Sequence, residues 1–280
     1  MDEKKWLQHC ATEAQLRQFN DEGYLIVEDA LSPDLLARLN DAVDRVEARE
    51  REEKGLKPDA LLKKFRTVVE DDVFLELLDN PKTFPLLWDI LGWNIQLYIS
   101  HLIVYPPEQK KDKIHQGGWH QDGGRPVPEM ERPHPRLSLK ISYWLSDVNT
   151  PEHGAMQIVP RSHKLDTKPE GSDAGEGVLP VCVKAGTAVL FDRRMWHRRG
   201  INTSDVTRRV LFFGYSYRWL RGLDYNLMPE NILSKCDPIR RQLLGDGIDV
   251  KGWWQPTEAD VPLKSWLREH KGEDYLEALG

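Results

Sequence analysis

The stretch GTAVLFDRRMWHRRG, residues 186–200, begins with the apolar run Gly186-Thr187-Ala188-Val189-Leu190-Phe191, turns at Asp192-Arg193-Arg194 and then reaches His197. Its first part has the β-branched and aromatic content of a strand. The tight polar turn that follows would swing the next segment across a sandwich instead of extending the same sheet. On this reading the strands belong to two facing layers.

The chain outside this stretch supports that architecture. Further strands are expected at 96–105, ended by Pro106-Pro107, and at 137–145, 155–159 and 207–217, with turn-rich segments between them. Toward the N-terminus, Thr12 can cap a short helix through Phe19, with Gln15 at the capping-box position. Gly23 stops that helix before the strand Tyr24-Leu25-Ile26-Val27. Ser32-Pro33 opens a long amphipathic helix in which Leu35, Leu36, Leu39, Ala42, Val43 and Val46 recur at helical spacing up to about Glu53. Its charge run, Glu47, Arg49, Glu50, Arg51 and Glu52, reads as a solvated face. Residues 54–64 read as a loop, and 72–78, 81–91, 229–233, 239–244 and 261–270 as helical. The expected class is α+β: a jelly roll buttressed by N-terminal helices and a helical C-terminal extension, within a single domain spanning 1–280.

Composition narrows the function classes. A formal net charge of -6 provides no overall field for nucleic acid or an anionic membrane. The odd, scattered Cys10, Cys182 and Cys236 suggest neither a disulfide framework nor a CxxC zinc site, so a reducing cytoplasmic setting is expected. The N-terminus MDEKKWLQHC has no apolar targeting segment, and no later run has the length of a membrane span.

The motif GWHQDGG, residues 118–124, places His120 and Asp122 two positions apart among glycines. On an extended backbone, residues i and i+2 point to one side, so both can reach one ion. A non-haem Fe(II) site of the facial-triad type needs two imidazoles and one carboxylate, with open positions remaining. Of the nine histidines, His197 stands out because it follows a strand and the crossing turn. Arg208 begins the run RRVLFFGY, and the parity Arg208, Val210, Phe212, Gly214 would point it into the sandwich. A buried guanidinium needs an anion, and a dicarboxylate cosubstrate supplies one in bidentate geometry. Arg209, of opposite parity, is expected at the strand edge in water.

Together WHQD (119–122), IVPRSH (158–163), FDRRMWHRRGINTS (191–204) and RRVLFFGY (208–215) resemble the phytanoyl-CoA dioxygenase family of Fe(II)/2-oxoglutarate-dependent oxygenases. The resemblance runs from about Gln15 to Tyr217. It implies a double-stranded β-helix core of the cupin kind, with His120, Asp122 and His197 as iron ligands. It also implies that Arg208 clasps the far carboxylate of 2-oxoglutarate and that Gln121 lines the cosubstrate pocket. Tyr105 stands where many relatives carry a lysine before the double proline, so a cosubstrate contact there would come from a phenol hydroxyl. Arg161 stands where glycine is common, and His163 beside it reads as a satisfied turn histidine. An intact Asp122 points away from the related halogenases, which replace this carboxylate, and toward oxygen insertion, desaturation or another hydrogen abstraction.

The reaction implied consumes molecular oxygen and 2-oxoglutarate, oxidises a C–H bond of a small organic molecule, and releases succinate and CO2. No side chain is required as a general acid or base. The substrate is not legible: the family's fold and site serve many substrates. Residues 106–118 and 54–66 are candidate lids, and Arg125, Arg193, Arg194 and Trp196 are candidate contacts to a carboxylate or phosphate. Trp219, Trp253 and Trp254, among ten tryptophans, are candidates to roof the pocket. Two other readings stay open: a metal cupin that does not use 2-oxoglutarate, and a non-catalytic small-molecule-binding relative.

Overall fold

Two antiparallel sheets of unequal size organise the chain in the computed structural model, which describes residues 5–108, 117–122, 134–247, 252 and 255–279. Nine strands build them: β1 (Tyr24–Val27), β2 (Leu62–Phe65), β3 (Ile95–Tyr105), β4 (Ser138–Trp144), β5 (Met156–Ile158), β6 (Leu179–Val181), β7 (Ala188–Asp192), β8 (His197–Arg199) and β9 (Arg208–Tyr217). The larger sheet runs β1-β7-β4-β9-β3-β2 and the smaller β6-β5-β8. The turn after β7 does carry the chain from the larger sheet to the smaller. The structure has the α+β jelly-roll architecture expected, and among the described residues the sheets do not close into a barrel.

Local signals set the N-terminal elements. Helix α1 (Glu13–Glu22) starts from a complete Thr12–Gln15 capping box, and Gly23 ends it at φ 86°, where a side chain would be strained. Helix α2 (Pro33–Lys54) takes its first bond from the Ser32 side chain. It buries Leu35, Leu39, Ala42, Val43 and Val46 against the outer face of the larger sheet, where Leu139, Ile141, Tyr143, Leu211 and Phe213 meet them. Each of these leucine and valine side chains contributes roughly 1.5–3 kcal/mol by leaving water. Helix α3 (Phe84–Leu91) and the C-terminal helices α4 (Glu230–Leu233), α5 (Pro238–Leu243), α6 (Pro262–Lys271) and α7 (Glu273–Leu279) complete the helical layer.

The other parity of the same strands faces the smaller sheet. Val189 and Phe191 of β7, Trp144 of β4 and Val210 and Phe212 of β9 form a second apolar cluster with Met156 and Ile158 of β5. The register puts Arg208 opposite Tyr105, Val210 opposite Ile103 and Phe212 opposite His101, so the predicted inward parity of β9 holds.

Three local expectations are corrected. Glu50 is not on a solvated face: it is buried, and both Lys54 (2.6 Å) and Lys64 (2.7 Å) pair with it. Residues 62–64, expected at the end of a loop, instead form with Phe65 the edge strand β2, paired with β3. Arg209 is not left to water, because its guanidinium pairs with Asp44 (2.7 Å) and Glu47 (3.1 Å) of α2. Each correction follows from a partner remote in sequence, which charge or periodicity along one segment does not report. Arg161 adopts φ 69°, which accounts for the glycine usual in that turn, and His163 is buried with Nε2 3.0 Å from the Asn20 carbonyl.

Candidate metal centre

The crossing turn is built around Asp192, whose carboxylate is fully buried. Arg194 reaches it with Nε (2.9 Å) and Nη2 (2.7 Å), and Arg136 with Nε (2.8 Å). Burial by itself would raise this carboxyl, but the two guanidinium groups outweigh it and hold the pKa below its ordinary value. Arg194, a candidate for ligand recognition, thus has a structural partner.

Against this turn lies the His-Gln-Asp segment. His120 and His197 exchange backbone hydrogen bonds at 3.0 Å in both directions, and Asp122 N–H donates to the Arg193 carbonyl at 2.7 Å. The Gln121 amide donates to the carbonyls of Leu165 (3.2 Å) and Arg194 (2.5 Å), pinning the middle of the segment to the neighbouring loops. Three side chains converge as a result. Ligand atoms of His120, Asp122 and His197 all lie within 4.8 Å of one another, the one such cluster among the described residues. Nε2 of His197 is 3.5 Å from Asp122 Oδ2, and Nε2 of His120 is 4.0 Å from Oδ1.

The donor set fits a divalent metal. Nδ1 of His197 lies 2.9 Å from the Met195 carbonyl, and Nδ1 of His120 lies 2.9 Å from the Gly118 carbonyl. A carbonyl only accepts, so each ring donates from Nδ1–H and presents the Nε2 lone pair to the cluster. Burial, opposed by Asp122, lowers His197 to about 4, leaving it neutral at physiological pH. For Asp122 burial alone would raise the pKa; Lys140 and His197 reverse the sign and keep it ionised. Two imidazoles and one carboxylate are the donors that a facial-triad ion takes. His197 is buried, whereas the His120 side chain is 54% exposed, so the cluster opens on the His120 side.

Arg208 occupies the same inner face with 3% exposure. It donates to the Gly154 carbonyl and lies 5.2 Å from the Tyr105 ring and 5.8 Å from that of Trp144, with no carboxylate partner among the described residues. Burial first, then Arg199, lowers it to about 10, so it remains a cation at neutral pH. The Tyr105 hydroxyl donates to Glu108 and accepts from Asn202 N–H (3.2 Å), while its ring faces the Arg208 and Arg199 guanidinium groups.

The sequence of 19–210 matches the phytanoyl-CoA dioxygenase family along that whole span. The chain belongs to the phytanoyl-CoA dioxygenase family. This is a family of Fe(II)/2-oxoglutarate-dependent oxygenases, and the chain is an enzyme of that kind. An uncharacterized protein of Mycobacterium tuberculosis is 28% identical over 234 residues, covering 81% of this chain and 84% of its own. A probable alpha-ketoglutarate-dependent hypophosphite dioxygenase of Stutzerimonas stutzeri is 26% identical, covering 72% and 77%. Among solved structures, the fold resembles that of EctD from S. alaskensis with bound Fe: TM-score 0.61, 23% identity, 78% of this chain and 82% of that one.

Sequence reasoning missed Lys140. Its ammonium is 2.7 Å from Asp122 Oδ2, and the residue is buried in the middle of β4. The signal was available: in Leu139-Lys140-Ile141-Ser142-Tyr143-Trp144 the lysine has the parity opposite to the packed Leu139, Ile141 and Tyr143. Trp219, a candidate roof, instead stacks on Tyr217 at 5.9 Å and is 46% exposed. Arg125, Gly123, Gly124, Trp253, Trp254 and most of the 106–118 candidate lid lie outside the described residues.

Proposed function

We propose that His120, Asp122 and His197 hold Fe(II), that Arg208 binds the far carboxylate of 2-oxoglutarate, and that the enzyme oxidises a C–H bond of a small organic molecule. The observation that carries this reading is the convergence of the three ligand atoms on one side of a backbone bridge, with both imidazoles turned to present Nε2. When bound, Fe(II) with 2-oxoglutarate and O2 supplies the oxidising power; one oxygen atom goes to the product and the other to succinate, with CO2 released.

The chain's own residues orient and exclude. The bridge to His197 and the bond from Asp122 N–H to Arg193 hold the ligands before any ion arrives, so little ordering remains at binding. Arg208, buried between Tyr105 and Trp144, offers a guanidinium fork with little exposure to solvent. The Tyr105 ring supports that fork, and Gln121 contributes by fixing the ligand segment against Leu165 and Arg194. Trp144, Val210, Phe212 and Ile103 supply an apolar lining that keeps the reacting carbon apart from solvent.

The test is anaerobic titration with Fe(II) and 2-oxoglutarate, read as the weak visible charge-transfer band of the chelate and, on admitting O2, as succinate release. The band is expected in the wild type and absent in His120→Ala and Asp122→Ala. A folded, metal-loaded protein without the band, or normal turnover in either variant, overturns the assignment.

A further inference from the structure

The inner wall of the larger sheet carries more positive charge than this chemistry consumes. Lys140, 7% exposed, sets its ammonium 2.7 Å from Asp122 and 5.8 Å from the ring centre of Phe212. Phe212 stacks on His101 with centroids 4.7 Å apart and planes at 12°, and His101 meets Phe65 at 5.5 Å. The ammonium of Lys63, an exposed residue of the edge strand β2, lies 4.8 Å from the Phe65 ring centroid. The register explains the line: Phe65 pairs with His101, and His101 with Phe212, on one face of three neighbouring strands. A strip of three rings therefore lines this face, with the buried Lys140 ammonium against Phe212 and the Lys63 ammonium against Phe65.

A charge count shows what the strip lacks. With Fe(II) and 2-oxoglutarate bound, two positive charges on the ion and one on Arg208 balance one negative charge on Asp122 and two on the cosubstrate. Lys140 then shares its carboxylate with the ion. Arg193, with Nε buried and unpartnered, adds a third cation at the turn that receives Asp122 N–H. Among the described residues the buried Lys140 ammonium has one carboxylate partner, and sharing it with the ion leaves that ammonium under-compensated, which favours a further anion in the filled pocket.

We propose that the substrate is an organic oxyanion, a carboxylate or phosphonate on an apolar body, with its anionic group held by Lys140 and its body lying along Phe212, His101 and Phe65 toward Lys63. This rests on the oxygenase reading above and names the substrate class of the same site. Lys140 and the ring strip are its specificity-determining residues.

The experiment is ligand-observed NMR on protein loaded with Ni(II) and 2-oxoglutarate, using phenyl probes matched in shape: benzoate, phenylphosphonate, benzamide and benzylamine. At least one anion is expected to bind about tenfold more tightly than the amide and the amine, and Lys140→Met to weaken that anion about tenfold. Which of the two anions binds better identifies the oxyanion. Lys63→Glu, a change at an exposed position, is expected to weaken anion binding severalfold with the thermal midpoint unchanged. Equal binding of benzamide or benzylamine, no binding of either anion, or anion binding unaltered in both variants overturns the proposal. Ni(II) and 2-oxoglutarate affinities are measured on the same samples. A wild type that binds neither sinks the oxygenase reading instead. If Lys140→Met loses metal affinity but keeps anion selectivity at saturating Ni(II), Lys140 only positions Asp122 and the substrate assignment fails.

Discussion

His120 and His197 are joined by a reciprocal pair of backbone hydrogen bonds at 3.0 Å, which brings their imidazoles to 4.3 Å between centroids. The bridge links an irregular segment to strand β8 and makes the spacing of these two candidate ligands a property of the backbone. A metal that binds this prepared site acts on the folded state alone.

Stability should therefore follow metal concentration. At about one hundred times its dissociation constant, Ni(II) is expected to stabilise the wild type by about 2.7 kcal/mol against urea. In His197→Ala that increment should vanish, and chelation by EDTA should return the wild type to its metal-free value.

Arg208→Lys keeps the charge but removes the planar fork in a site that is 3% exposed. The variant should require about thirtyfold more 2-oxoglutarate for half-saturation of the chelate band, a cost of about 2 kcal/mol. Its Ni(II) affinity should stay near that of the wild type, which isothermal titration can establish.

Asp192→Asn removes the charge that Arg194 and Arg136 surround in the crossing turn. At pH 7 it is expected to cost about 3 kcal/mol, since it leaves two partly buried guanidinium groups without their anion. The folded-state pKa of Asp192 is depressed, so its contribution is fully present above the unfolded value of about 3.9 and is lost as pH falls through the folded one. Urea midpoints of wild type and variant should accordingly converge below about pH 4.

Gly200→Ala should disturb the smaller sheet. A Cβ there would stand 2.2 Å from the Ala155 carbonyl oxygen, which also accepts Gly200 N–H, and backbone cannot swing aside as a side chain can. A loss of about 1–3 kcal/mol is expected in chemical denaturation. Weaker Ni(II) binding should accompany it, because Gly200 follows directly on the strand that carries His197.

Much of the site could be read before any fold was known. The i, i+2 spacing of His120 and Asp122, the strand and turn leading to His197, and the inward parity of Arg208 are consequences of backbone geometry within a few residues. The same holds for the Thr12 capping box and for Ser32-Pro33 at the start of α2. Strand β6 escaped because Pro180 stands in its middle, β8 because His197-Arg198-Arg199 contains no apolar residue, and α7 because it follows α6 after a single glycine.

Local spacing and side-chain chemistry made the candidate ligand types, their order and the strand faces legible along the chain. Tertiary structure alone decided that His120 bridges to His197, that Lys140 faces Asp122, that Glu50 is buried between two lysines, and that Phe65, His101 and Phe212 form one strip. The physical reason is the same in each case. These are contacts between segments distant in the chain, and their energies depend on register and burial that exist only once the sheets have paired.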